Sequence, residues 1–195
     1  MQVRDACGKI KGMAHLQGGY HMVALSQGNM VGRGVIETCD GPPVKSFISV
    51  GGPNAGHSST FPCGSHLAPS GYIKIPTDMK GYLSGCRFLP KINNEVNDDQ
   101  SAIRKKRFTS LTLLVLVLFQ ADTIIMPQIS SHFGYYPDGD FSTPVPVQQT
   151  QVYIKDTFGF RTLDEAGKVK FFKVPGAHLI ITVDEITRFI VPYMK

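Results

Sequence analysis

Three residues in this chain are of types that do acyl-transfer chemistry together: Ser26, Asp122 and His178. Ser26 stands in Ala24-Leu-Ser-Gln-Gly28, a small-x-Ser-x-Gly pattern between an apolar, strand-like run and a helix-like run. Small residues two before and two after a serine let the backbone turn sharply from strand to helix, so the hydroxyl stands clear of the sheet. Taken alone, the pentapeptide also fits an ordinary turn serine, and its first small residue is Ala24 rather than the usual glycine. Asp122 follows the strongest strand signal, Leu111 to Leu118, although an aspartate there could simply cap a loop. His178 sits in a short loop after the β-rich run Val169 to Val174. A serine activated by a histidine that an aspartate orients is the arrangement for nucleophilic attack on an acyl carbonyl.

The elements that must position these residues can be read from hydrophobic periodicity. Val3, Ala6, Ile10 and Met13 predict a helix over 2–16, ended by Gly18-Gly19, and 20–25 reads as a strand. A helix is expected from Gln27 to Thr38. Gly28 and Gly32 would share one face and pack against the sheet, offsetting a helix-propensity cost of about 1 kcal/mol each. Val44–Val50 and Lys168–Val174 read as further strands, and about Asp184 to Tyr193 as an amphipathic helix. Residues 57–97 lose periodicity and are rich in Pro, Gly and Ser, as a lid or binding loop would be. Phe133 to Gly139 is read as an aromatic turn, Val145 to Gly159 as extended, and Leu163 to Gly167 as a turn. Strands alternating with helices indicate an α/β fold with a largely parallel sheet. The order Ser, then Asp, then His, with the last two on loops after later strands, is that of an α/β-hydrolase.

Composition narrows the function classes. The chain has 195 residues, 42% of them apolar, and a formal net charge of +5, which suits one globular domain. The basic run Arg104 to Arg107 reads as a solvated segment leading into a strand. No nucleic-acid-binding motif accompanies it, so nucleic acid is rejected as the main partner. The apolar run Leu113 to Phe119 is far below the ~18 residues of a membrane span, and the first residues lack the apolar core of a signal peptide. No cysteine or histidine spacing suggests a metal. Cys7, Cys39, Cys63 and Cys86 allow three pairings, and their number fits an oxidising compartment or four reduced thiols equally.

Gly19-Tyr20, Leu25-Ser-Gln-Gly28, Phe47-Ile-Ser-Val-Gly-Gly-Pro53, Phe133-Gly-Tyr-Tyr136, Leu163-Asp-Glu-Ala-Gly167 and His178-Leu179 resemble the palmitoyl-protein thioesterases, most closely those of plants. These motifs occur in matching order over nearly the whole chain. The resemblance implies an α/β-hydrolase that removes fatty acyl groups from S-acylated cysteines of proteins or peptides, in lysosomes or vacuoles or after secretion, without a cofactor. It makes Ser26 the nucleophile, His178 the general base, Asp122 the residue orienting it, and the Gln27 N–H an oxyanion donor. His57 would lie at the site's rim as a substrate contact. Met30, Val31 and Val35, and Phe133, Tyr135 and Tyr136, are read as packing residues. The resemblance also implies a Cys7–Cys39 disulfide.

Two departures from the family pattern shape the expectation. Early strands, and a loop carrying a second oxyanion donor, have no counterpart in these residues. The lid is shortened between Ser65 and His66, leaving Cys63 free or paired with Cys86. The reading is therefore a single partial α/β-hydrolase domain over 1–195, with early strands missing and a shortened lid within 57–97. Losing one oxyanion donor typically costs ~10²–10³ in rate. A catalytically impaired remnant acting as a binding protein, and a lipid oxygen-ester hydrolase, are the competing functional expectations.

Overall fold

A computed structural model describes residues 2–58 and 68–194. The order of elements is α1 (Gln2–Lys11), β1 (Tyr20–Leu25), α2 (Gly28–Thr38), β2 (Val44–Val50), α3 (Met79–Gly85), α4 (Leu89–Ile92), α5 (Ser101–Thr109), β3 (Leu113–Phe119), α6 (Gln151–Ile154), α7 (Phe160–Glu165), β4 (Val169–Val174) and α8 (Val183–Phe189), with short 3-10 turns between them. Among the described residues the strands form one four-stranded sheet in sequence order, and every pairing is parallel. Ala24 faces Ser49, Ile48 faces Val115, and Val117 faces Phe172. This is the α/β architecture of a partial α/β-hydrolase sheet with flanking helices.

Strand β3 reads as a continuous apolar run because both of its faces are covered. Phe47, Leu114 and Leu116 meet Phe108, Phe158 and Phe160 on one face. On the other, Ile48, Val50, Val115, Val117 and Phe119 meet Ile186, Phe189 and Tyr193 from α8 and the turn after it. Of the residues read as packing, Met30, Val35, Phe133 and Tyr135 are buried, whereas Val31 and Tyr136 are half-buried.

Several boundaries depart from the sequence expectation. The first helix stops at Lys11, because Gly12 ends it by donating back to Lys9 O and Gly8 O; Met13 is exposed. A Cβ on Gly32 would meet the Phe47 ring at 2.9 Å and Met22 Sδ at 3.1 Å, whereas Gly28 has nothing within 4 Å. Close packing on the sheet is therefore the work of Gly32 alone, and Gly34 serves a different neighbour, Val3 of α1. The basic run lies in α5, where Arg104 is buried and donates to Asn94 Oδ1 at 2.9 Å and Asp98 Oδ1 at 2.7 Å. The supposedly extended stretch from Val145 to Gly159 includes α6, and the supposed turn at Leu163 is inside α7. Helix α8 ends at Phe189 because Pro192 cannot donate to a continued helix. Within 57–97, α3 and α4 pack through Tyr82, Leu89 and Ile92 against Met30 and Tyr72.

Cys7 and Cys39 form a disulfide, tying α1 to the residue that ends α2. The expected alternatives for Cys63, the shortening between Ser65 and His66, and His66 itself lie outside the described residues. No helix among the described residues is long and apolar enough to cross a membrane.

Candidate active site

The site is built at the carboxyl ends of the parallel strands, where loops of an α/β sheet converge. β1 ends at Leu25, and Ser26 turns the chain with φ 48°, a left-handed conformation that a residue with a side chain adopts only under constraint. The turn is anchored because Ser26 N–H donates to Val50 O at 2.9 Å, continuing the β1–β2 ladder one residue beyond the strand. Helix α2 starts two residues later. Among the described residues no oxygen accepts from the Gln27 N–H.

Asp122 lies three residues beyond the end of β3, its carboxylate almost fully buried. Its Oδ1 accepts from the N–H groups of Ile124 and Ile125 at 2.8 and 3.0 Å. That leaves Oδ2 to accept from His178 Nδ1 at 2.7 Å. His178, in the loop after β4, places Nε2 at 2.9 Å from Ser26 Oγ. With Nδ1 protonated toward the carboxylate, Nε2 is left as the acceptor for the serine hydroxyl. The ring packs edge-on against Phe119, the last residue of β3, with centroids 6.3 Å apart. Three residues separated by up to 152 positions thus form one chain of hydrogen bonds.

His57 sits beside this chain. Met126 N–H donates to His57 Nδ1 at 3.2 Å, and Ser58 N–H donates back to Met126 O at 2.6 Å. The pair of bonds ties the loop that follows Asp122 to the loop after β2. Burial lowers the pKa of His57, and the nearby Asp122 charge opposes that shift. Asn29, fully buried one turn after Ser26, and the Gly51-Gly52 pair of the motif Phe47 to Pro53 have no site role assigned from sequence alone. Gly51 has φ 59°, and a Cβ there would lie 3.0 Å from the Phe119 ring and 3.4 Å from His178 Cε1. The available signals were an asparagine just after the small-x-Ser-x-Gly pattern and two glycines closing a buried strand. Among the described residues Cys7, Cys39 and Asp40 come together, but the disulfide removes both thiolates as metal ligands.

The sequence model described as palmitoyl protein thioesterase matches residues 1–178. This chain belongs to that family. It is 33% identical over 199 residues to palmitoyl-protein thioesterase 1 of Caenorhabditis elegans, covering 90% of this chain and 66% of that protein. It is also 33% identical over 179 residues to lysosomal thioesterase PPT2-B of Xenopus laevis, with 81% and 62% covered. Against the lysosomal thioesterase PPT2 homolog of Drosophila melanogaster it is 32% identical over 216 residues, with 99% and 74% covered. The chain thus spans just under two thirds of the length of the first two relatives.

Proposed function

We propose that this chain hydrolyses thioesters, removing fatty acyl groups such as palmitate from S-acylated cysteines of proteins or peptides. The observation that carries the reading is the unbroken chain from Asp122 Oδ2 through His178 to the hydroxyl of the strained Ser26. In the proposed reaction His178 Nε2 takes the Ser26 proton as Oγ attacks the thioester carbonyl. The Gln27 N–H donates to the oxyanion that forms. Collapse breaks the C–S bond, and the proton on His178 passes to the departing sulfur. Water, deprotonated by the same nitrogen, then attacks the acyl-serine, and His178 returns the proton to Ser26 Oγ as the fatty acid leaves. Asp122 holds the tautomer and steadies the imidazolium.

Leu25, Ile124 and Ile180 lie one or two residues from Ser26, Asp122 and His178 respectively, and each is exposed. Exposed aliphatic residues so close in sequence to each member of the hydrogen-bonded chain suit an apolar acyl group as substrate. His57 supports the rim by holding the Asp122 loop, leaving its Nε2 for a substrate contact. The Cys7–Cys39 disulfide fits an oxidising compartment, and relatives carry the name lysosomal thioesterase, so we assign the chain to the lysosome or vacuole, or to secretion.

A palmitoyl thioester and the equivalent oxygen ester, offered to the purified chain, test this directly. The thioester should be the preferred substrate, and Ser26→Ala should reduce its turnover by roughly 10³-fold or more without lowering the thermal midpoint. Preference for the oxygen ester would point to a lipid-ester hydrolase, and full activity in Ser26→Ala would remove Ser26 from the mechanism.

A further inference from the structure

Asn29 is fully buried, and its side-chain Nδ2 donates to two backbone oxygens: Ser26 O at 2.9 Å and Val50 O at 3.2 Å. Its own N–H also donates to Ser26 O, at 3.0 Å, while Val50 O already accepts from Ser26 N–H at 2.9 Å. Neither carbonyl therefore needs the side chain to be satisfied. Asn29 Oδ1, moreover, is buried with no hydrogen-bond partner among the described residues. A buried amide oxygen left unpaired costs about 1–3 kcal/mol. An apolar residue of similar size would avoid that cost, so stability alone does not account for an asparagine here.

The peptide unit that Asn29 grips explains its presence. Ser26 C=O and Gln27 N–H belong to one planar group and point in opposite directions across it. Fixing Ser26 O from two donors fixes the direction of the Gln27 N–H. The same grip, shared with Val50 O, resists relaxation of the φ of 48° at Ser26 that holds Oγ against His178. We infer that Asn29 is a positioning residue of the elbow: its side-chain amide locks the Ser26–Gln27 peptide plane and so aims the oxyanion donor. The inference rests on Ser26 being the nucleophile proposed above. Gly52 belongs to the same device. A Cβ there would lie 2.6–2.7 Å from three atoms of the Asn29 side chain, so only glycine at 52 leaves room for the amide.

Reaction of Ser26 with a fluorophosphonate probe reads the elbow independently of the natural substrate, and thioester turnover separates kcat from KM. For Asn29→Ala the probe reaction should slow by roughly 10–100-fold, the scale expected when reacting groups are misplaced by up to an ångström. kcat should fall in parallel, KM should stay within about twofold, and the thermal midpoint should change little. Gly52→Ala should reproduce the loss in probe reaction and kcat by displacing the amide. Unchanged rates in Asn29→Ala with a reactive wild type would overturn the positioning role while leaving the nucleophile reading intact. A change in KM alone would also overturn it. A wild-type chain inert to the probe would remove the nucleophile and the positioning role together.

Discussion

At the residue scale, Asp122 shows how much of a site's chemistry depends on distributing one carboxylate. Its two oxygens are divided between the backbone of its own loop and the histidine, so the group is held in place before it orients anything. Asp122→Asn keeps the shape but offers an NH₂ where His178 needs an acceptor, favouring the wrong imidazole tautomer. If Asp122 acts as proposed, probe reactivity and thioester turnover should fall by up to about 10⁴-fold, with little loss of fold. A decrease of under tenfold would reduce Asp122 to a loop cap. The sequence made these residue types legible by context, each at the end of a strand signal. It did not make Asn29 legible, because an asparagine in a helix reads as surface or cap until its burial and its two carbonyl partners are seen.

Helix α2 carries the second scale. Its exposed end presents the elbow, and its body is fixed by a fully buried Arg33 paired with Glu37 at 3.0 Å. Arg33 also donates to Asn54 O and Asn93 Oδ1 at 2.9 Å each, and its guanidinium lies 4.8–5.0 Å from the centres of the Phe158 and Phe133 rings. Burial pushes the Glu37 carboxyl up, and the Arg33 charge pulls it back. Removing one partner leaves the other charge uncompensated, so Arg33→Met should cost about 3–5 kcal/mol in urea unfolding. Arg33→Met combined with Glu37→Leu should recover more than half of that loss. A double variant as unstable as the sum of the singles would show that the pair's other contacts dominate. Element boundaries were less legible than element types. The first helix stops at Lys11, where Gly12 donates back to Gly8 O and Lys9 O, and α6 and α7 were hidden because helices of four and six residues span too few turns for a periodic signal.

At the scale of the whole molecule, the sheet brings together groups that sequence distance keeps apart, including some whose protonation should link stability to pH. His132 is 8% exposed, with Nε2 3.1 Å from Phe172 O of β4. Burial lowers its pKa from 6.5 to about 4. Above pH 6.5 it is neutral in folded and unfolded chains alike. Between pH 6.5 and 4 the unfolded chain takes up a proton that the folded one refuses, so this contribution is lost as pH falls, by about 3 kcal/mol in total. Urea unfolding at several pH values should therefore show a shallower acid decline for His132→Phe than for the wild type. Parallel pH curves would show that His132 does not link folding to protons.

By itself the sequence determined the strand positions, the α/β class and the three residues whose types and order suit acyl transfer. These are encoded in local patterns: apolar runs, small residues around a serine, polar residues just past strand ends. Only the tertiary structure decided which polar groups meet. A hydrogen bond spanning 152 positions, a carboxylate shared between a loop and an imidazole, and an amide held between the Ser26 turn and the end of β2 all depend on the register of a parallel sheet. Register follows from packing on both faces at once, which no local window of sequence contains.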